Sequence, residues 1–128
     1  MRTPKLLNLA IIIYLFFNSY GAFSQENKPN CISKVKSEWG ENCSGCQNST
    51  NSYRAFFVNT CDKSMDVKIA IQEKSLRWKT YTMMNVAPQD TISGYACEGT
   101  GKFMSWHRRV GDKGSLFPSD DEINRDYK

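Results

Sequence analysis

A change in hydrophobic period at Tyr53 is the feature that most constrains the fold of this chain. From Tyr53 to Val110, apolar and polar residues alternate with a period of two, which is typical of half-buried β-strands. Short turn-forming stretches rich in Asp, Gly, Pro and Ser interrupt the alternation. The spacing predicts five strands: Tyr53–Asn59, Asp66–Gln72, Trp78–Val86, Thr91–Cys97 and Lys102–Val110.

Strands at intervals of about ten residues predict a mainly β domain over residues 53–110. Such a domain is built as a small antiparallel sheet, a sandwich or a partly open barrel. Residues 111–128 contain glycine, proline and the acidic run from Ser119 to Glu122, and they are predicted to form a C-terminal tail. One domain of this size has a marginal core unless covalent links support it.

The segment before the β-domain, residues 25–52, has a different pattern. Ile32, Val35 and Trp39 are spaced i, i+3 and i+7, which predicts one short helix ended by Gly40. The remainder is polar and without periodicity, so it is predicted to be a loop that carries a Cys-x-x-Cys motif.

Residues 1–24 have the pattern of a cleaved signal peptide. Arg2 and Lys5 precede an apolar run from Leu6 to Phe17, and small residues up to Ser24 supply a cleavage site. A twelve-residue run would reach only about 18 Å as a helix, short of the ~30 Å hydrocarbon core. The sequence therefore predicts a secreted or periplasmic protein, without a lipid-anchor cysteine and without stable membrane insertion after cleavage.

The charge of the chain argues against nucleic acid as a partner. Residues 1–24 carry two of the 17 basic residues and none of the 13 acidic ones, so the remainder has a net charge of only +2. Nucleic-acid binding needs a clustered basic face, and we predict none. A secreted toxin or antimicrobial protein is retained as an alternative, although membrane attack normally uses a strongly basic amphipathic surface.

All five cysteines lie after the predicted signal peptide, where an oxidising environment favours disulfides. An odd number leaves one cysteine over, which could link two copies into a dimer. If the strands run up and down in order, Cys97 lies at the same end of the sheet as the loop that holds Cys43 and Cys46. We therefore predict a bridge from Cys46 or Cys43 to Cys97, and a second bridge from Cys31 to Cys61.

The pair Cys43 and Cys46 also has the spacing of a thiol-disulfide oxidoreductase, which is the main alternative function. That site needs a strand before it and a helix after it, and the sequence predicts neither. The same spacing in zinc sites is accompanied by a second short-spaced pair of ligands, which is missing, so no metal is predicted. No cofactor is predicted either, because Ala96 and Phe103 break the phosphate-loop pattern around Gly99.

His107 is the only histidine and the only candidate for acid-base chemistry. Alternation places it on one strand face with Ser105 and Arg109, opposite Trp106. With Trp106 directed inward, His107 is predicted to face solvent, and Ser105 is the only nearby partner for a hydrolase. We predict no catalytic residue and no enzymatic activity.

The strands hold more aromatic residues than one buried face of a small sheet can accommodate. The surplus predicts a second layer or an exposed binding patch. The function predicted from these features is a non-catalytic binding or interaction module for another protein or a cell-surface ligand. The residues predicted for its surface are Trp78, Tyr81, Tyr95, His107 and Arg109.

Overall fold

The computed structural model describes residues 29–128, and in them the chain is mainly β. The predicted signal peptide lies outside the described residues. A single short helix, α1, follows the last strand. The elements are β1 (Ile32–Trp39), β2 (Tyr53–Asn59), β3 (Met65–Glu73), β4 (Trp78–Val86), β5 (Thr91–Ala96), β6 (Gly99–Arg109) and α1 (Asp120–Asp126).

The strands form two three-stranded antiparallel sheets that pack face to face. Sheet A has the order β1-β2-β5, and sheet B has the order β4-β3-β6. The prediction of a small antiparallel β-fold is confirmed, in its sandwich form. The simple up-and-down order is wrong, because the chain changes sheet between β2 and β3, between β4 and β5, and between β5 and β6.

The core lies between the two sheets and consists of side chains that alternate along the strands. In β2, Tyr53, Ala55 and Phe57 point inward and are buried. Opposite them, β3 contributes Val67 and Ile69. Burying this apolar surface is the main force that holds the sheets together. The other buried members of the core are Cys31, Ile32, Met65, Ile71, Val86 and Ala96.

Strand β3 is buried on both of its faces. Its inner residues face sheet A, whereas Asp66, Lys68, Ala70 and Gln72 face the C-terminal segment. The buried charges on that outer side, Asp66 and Lys68, are paired, as burial requires, whereas Gln72 Nε2 has no hydrogen-bond partner among the described residues. The Lys68 ammonium lies 2.6 Å from the Asp120 carboxylate.

The segment 111–128 is more than the tail predicted from sequence, because it contains α1. Ser119 caps the helix in a capping box with Glu122, and Ile123 is fully buried against sheet B. The helix is fixed through Trp78: the Trp78 backbone N–H donates to Asn124 Oδ1 at 2.7 Å, and its indole N–H donates to the Tyr127 carbonyl at 3.0 Å.

The predicted helix at Ile32–Trp39 is wrong, because this segment is strand β1 at the edge of sheet A. A β-bulge between Lys34 and Lys36 shifts the alternation, so that apolar residues fall at a helix-like spacing without sharing a buried face. Val35 at the bulge is 55% exposed and Trp39 is 54% exposed. Backbone pairing with β2 therefore outweighs the local helical pattern.

Two disulfides join the ends of sheet A, and both confirm predicted pairs. Cys31 is bonded to Cys61 and Cys46 to Cys97, with Cα–Cα distances of 4.9 and 5.3 Å. Cys43 remains free and buried. The two bridges indicate an oxidising compartment. Within residues 29–128, no helix is long and apolar enough to cross a membrane.

We expect the Cys46–Cys97 bridge to supply a large part of the stability, because it closes a loop with a sequence separation of 51. Replacing both cysteines with Ala should lower the free energy of unfolding by about 4 kcal/mol. Urea unfolding of the oxidised protein measures this. The Cys43→Ser variant is the control and should lose less than about 1 kcal/mol; an equal loss in both proteins would contradict the prediction.

The ion pair at α1 leads to a pH-dependent prediction. Hydrogen bonds from Lys68 and then from Thr80 hold the pKa of the Asp120 carboxyl below its ordinary value. Since the folded pKa is the lower one, this stabilisation is complete above the unfolded pKa of about 3.9 and disappears as the pH falls through the folded value.

Asp120→Asn should therefore lower the free energy of unfolding by about 0.5–1 kcal/mol at neutral pH, because Lys68 loses its counter-charge while solvent screens the largely exposed Asp120 carboxylate. The difference from the native protein should vanish in strong acid. Asp121→Asn is the matched control, since it removes the same charge from the neighbouring exposed position. Chemical unfolding across the pH range tests this, and a difference that persists in acid would refute it.

Candidate binding surface

The two sheets differ in what covers their outer faces. The C-terminal segment lies over sheet B, whereas the outer face of sheet A is open along most of its length. In β2, Arg54, Phe56 and Val58 alternate with the core residues and point outward. We call the outward residues of this sheet the open face: Lys36 and Glu38 from β1, Arg54, Phe56 and Val58 from β2, and Ser93 and Tyr95 from β5.

Cations lie over the aromatic rings of the open face. Lys36 Nζ is 4.5 Å from the centre of the Phe56 ring, and Arg54 Cζ is 5.5 Å from that of Tyr95. Lys79, from β4 of the other sheet, places its ammonium 4.1 Å from the same Tyr95 ring. Each contact is an attraction between a positive charge and the electron-rich ring face. The contacts hold the long cationic side chains against the protein.

Tyr81 joins this surface to the edge of sheet B. Its hydroxyl donates to the Tyr95 carbonyl at 2.7 Å. Burial raises the pKa of Tyr81, and the nearby Lys79 ammonium offsets only part of that rise, so the phenol is neutral at physiological pH. For Lys79, burial acts to lower the pKa, but hydrogen bonding and attraction to Tyr81 and Tyr95 outweigh it and raise the pKa. Lys79 is therefore a permanent positive charge.

The loop that carries Cys43 covers one end of the open face. Tyr95 donates its hydroxyl hydrogen to the Ser44 carbonyl, and an Arg54 N–H donates to Cys43 Sγ at 3.7 Å. Arg54 Nε is buried without a hydrogen-bond partner among the described residues. Arg54 thus lies between a thiol and an aromatic ring.

The Cys-x-x-Cys motif is not closed on itself. Cys46 is bonded to Cys97, while Cys43 is 7% exposed and accepts the Arg54 contact. In the part of the chain that the structure describes, the only helix is α1, far along the sequence from this loop. The strand-and-helix setting of a thiol oxidoreductase is therefore not seen around Cys46 in residues 29–128.

The structure separates the five residues predicted for a binding surface into three places. Tyr81 and Tyr95 lie together beside the open face. Trp78 is only 8% exposed because α1 and Tyr127 cover it, so its prediction as a surface residue is wrong. His107 and Arg109 lie at the opposite end of the molecule, where they line a cleft of about 460 Å³ beside the Cys31–Cys61 bridge.

His107 does not face solvent as predicted, because both faces of sheet B are covered. It is half-buried on the side that faces sheet A, and its Nε2 accepts a long hydrogen bond of 3.5 Å from the Cys31 N–H. Trp106 points the other way and packs against the second core cluster under α1. Within residues 29–128, no hydrogen bond joins His107 to Ser105, and no three His, Cys, Asp or Glu residues are grouped as metal ligands.

Four residues of this surface do not follow from the sequence prediction: Lys36, Arg54, Phe56 and Lys79. Lys36 lies in β1, which the sequence pattern predicts to be a helix. The signal for Arg54 and Phe56 was present, since they occupy the alternate positions of a correctly predicted strand. Lys79 reaches the open face only because β4 of sheet B lies beside β5 of sheet A.

Gly94 is expected to control the position of Tyr81. A Cβ atom at residue 94 would lie 2.9 Å from Tyr81 Cδ2, which forces the ring away and breaks its hydrogen bond to the Tyr95 carbonyl. Gly94→Ala should therefore destabilise the protein by about 1–3 kcal/mol, as overpacking typically does. Thermal unfolding measures the loss, and NMR shifts at residues 79–81 should change with it.

Gly114→Ala is the control, since its added Cβ would meet only the Asp112 carboxylate at 3.4 Å in an exposed loop. It should stay within about 0.5 kcal/mol of the native protein. Equal stability of the two variants would show that Tyr81 is free to move aside.

Comparisons with known proteins add no assignment to this description. No protein-family model matches the chain, and neither a curated protein nor a solved structure matches it. The function therefore has to be inferred from the residues and contacts of this chain alone.

Proposed function

We propose that the protein is an exported, non-catalytic binding module whose open face binds an acidic surface of another protein. The observation that supports this most is the contrast between the two outer faces. The C-terminal segment covers sheet B, whereas the outer face of sheet A carries two half-buried aromatic rings, each with a cation over it, and among the described residues the loop that carries Cys43 covers just one end of that face.

The composition of the open face is that of an interaction surface. Tyr, Phe and Arg are enriched at the buried centres of protein interfaces, and rigid aromatic side chains lose little entropy on binding. Here Phe56, Arg54 and Tyr95 are neighbours on adjacent strands and are already held in place by their contacts. Such preorganisation reduces the cost of association.

The charges of the open face favour an acidic partner. Lys36, Arg54 and Lys79 supply three positive charges, and the carboxylate of Glu38, 3.0 Å from Lys36, supplies one negative charge. The two half-buried aromatic rings, Phe56 and Tyr95, are too few for the stacking platform of a single-stranded nucleic acid. A protein with exposed carboxylates complements the charge of this surface.

Two features support export as the setting of this function. The two disulfides favour an oxidising compartment, and the sequence of residues 1–24 predicts a signal peptide. A disulfide-linked dimer through the odd cysteine is disfavoured, because the remaining thiol, Cys43, is buried.

A thiol-disulfide oxidoreductase is the second candidate, and the contact of Arg54 with Cys43 Sγ is the observation that favours it. Reactive cysteines commonly lie beside basic side chains. Against it, the thiol is buried and Cys46 is already bonded to Cys97. Insulin reduction by the native protein that is lost in Cys43→Ser would establish this second function.

Partner capture tests the binding module directly. The oxidised protein, carrying a cross-linker, is exposed to the exported fraction of its source, and the captured proteins are compared with those of Phe56→Ala and Lys36→Glu. We expect a partner that both variants lose by about tenfold or more, as central interface residues do. The capture should weaken at high salt because the contact is ionic.

Lys74→Glu is the matched control, since it reverses an exposed charge in the β3–β4 turn, away from the open face. It should capture the same partner as the native protein. The same captured set from all four proteins would refute a role for the open face, and so would a partner without an acidic surface.

A further inference from the structure

A second concave site lies on sheet B, on the opposite side of the molecule from the open face. The chain segment that enters α1 and the helix itself enclose a hollow of about 430 Å³ over sheet B. Its apolar walls are Trp106, Leu116, Phe117, Pro118 and Tyr127. We call this site the α1 hollow.

The α1 hollow combines accessible aromatic ring surface with accessible polar groups. The Trp106 and Tyr127 rings meet nearly at right angles, with their centres 6.1 Å apart, so they form two sides of a corner. Leu116 is 83% exposed, although it is flanked by residues that pack on the domain. An exposed leucine at the rim of an aromatic corner is typical of a ligand site rather than of a core.

The charged groups that line the α1 hollow are all negative. Glu122 and Asp126 are four residues apart on α1, so their carboxylates share one face of the helix. Asp126 is paired with Arg125 at 2.8 Å, so it contributes less negative charge to the hollow than Glu122 does. Glu122 accepts the Ser119 N–H through Oε2 and retains its other oxygen. The Ser119 backbone and side chain keep the Glu122 pKa below its ordinary value, so this carboxylate stays ionised in mild acid.

The cations around the α1 hollow are already paired. Lys68 donates to the Pro118 carbonyl and to Asp120, and Arg125 is paired with Asp126. Arg108 lies with its Cζ 4.7 Å from the Phe117 ring centre, outside the lining of the hollow. Its guanidinium is paired with Asp66 at 3.2 Å and also donates to the Ser115 carbonyl. An incoming cation therefore meets one ionised carboxylate and several aromatic ring surfaces.

From this arrangement we infer that the α1 hollow binds a quaternary ammonium group. Aromatic walls with a carboxylate at the rim are suited to a bulky, weakly hydrated cation through cation–π attraction. The Glu122 carboxylate attracts the positive charge, and the ring faces contact the methyl groups of a methylated ammonium. This inference is independent of the open face, because the two sites lie on different sheets.

Choline is the probe, and 3,3-dimethylbutan-1-ol is its neutral isostere. Each is titrated into the oxidised, isotope-labelled protein while the indole N–H signal of Trp106 is followed by NMR. We expect saturable binding of choline that is at least about tenfold tighter than that of the alcohol. No saturable shift with choline, or equal affinity for the two compounds, would overturn the inference.

Glu122→Gln and Asp121→Asn form a matched pair. The Gln side chain retains an oxygen that can accept the Ser119 N–H, so the cap is preserved while the charge is removed. Glu122→Gln should weaken choline binding about threefold to tenfold, whereas Asp121→Asn, with the same change in net charge outside the hollow, should change it less than about twofold. Equal weakening by both variants would show a general charge effect and refute the site.

Leu116→Ala shortens one wall of the hollow and leaves the core unchanged, because Leu116 is exposed. It should weaken the binding of choline about threefold. Unchanged affinity would contradict the placement of the ligand.

Co-sedimentation with phosphatidylcholine vesicles then identifies the source of the cation. Sedimentation that choline competes away assigns a lipid headgroup, and choline binding without sedimentation assigns a free, soluble ammonium.

Discussion

The covalent closure of sheet A is the constraint on which the rest of the structure depends. The start of β1 and the end of β2 are neighbours because the strands are antiparallel, and Cys31–Cys61 joins them. At the other end, Cys46–Cys97 joins the loop before β2 to the residue after β5. A domain of about 100 residues has a marginal core, so these bridges hold the sheet together while sheet B packs on it.

Closure at the two ends also explains why one face of sheet A remains open. The bridges and the loop around Cys43 fix the ends of the strands, so no further layer is required to hold β1, β2 and β5 in register. Sheet B has no disulfide and instead relies on α1, the Lys68–Asp120 pair and the Trp78–Asn124 hydrogen bonds. Each sheet is therefore stabilised by a different means, and each presents a different outer surface.

The sequence alone predicts those parts of the fold that depend on the local pattern of residues. All five strands of residues 53–110 follow from alternation. Strand direction predicts that Cys97 pairs with Cys43 or Cys46, because β2 and β5 are antiparallel even though the assumed meander is wrong, and the structure shows that the partner is Cys46. The edge strand β1 was taken for a helix because its bulge places Val35 and Trp39 at a helix-like spacing. The capping box at Ser119 and Glu122 was a readable signal for α1, but its acidic composition was interpreted as a tail.

The binding surface was less predictable because it depends on which faces are covered. Of the residues predicted for such a surface, Tyr81 and Tyr95 lie together beside the open face, whereas Trp78 is buried under α1 and His107 is half-buried on the side that faces sheet A. Alternation tells which residues share a face, and only tertiary packing tells whether that face meets solvent. The contact of Lys79 with Tyr95 cannot be predicted from local pattern, because it joins two sheets and no local pattern specifies how the sheets pack.

The buried thiol of Cys43 limits how the protein recovers from damage. In the native state its burial separates it from oxidants and from other proteins. Once the chain unfolds, the same thiol lies three residues from Cys46, where its thiolate attacks the neighbouring disulfide and exchanges partners. Heating under alkaline conditions then leads to scrambled bridges rather than reversible unfolding, so the lifetime of the protein is governed by how rarely it opens.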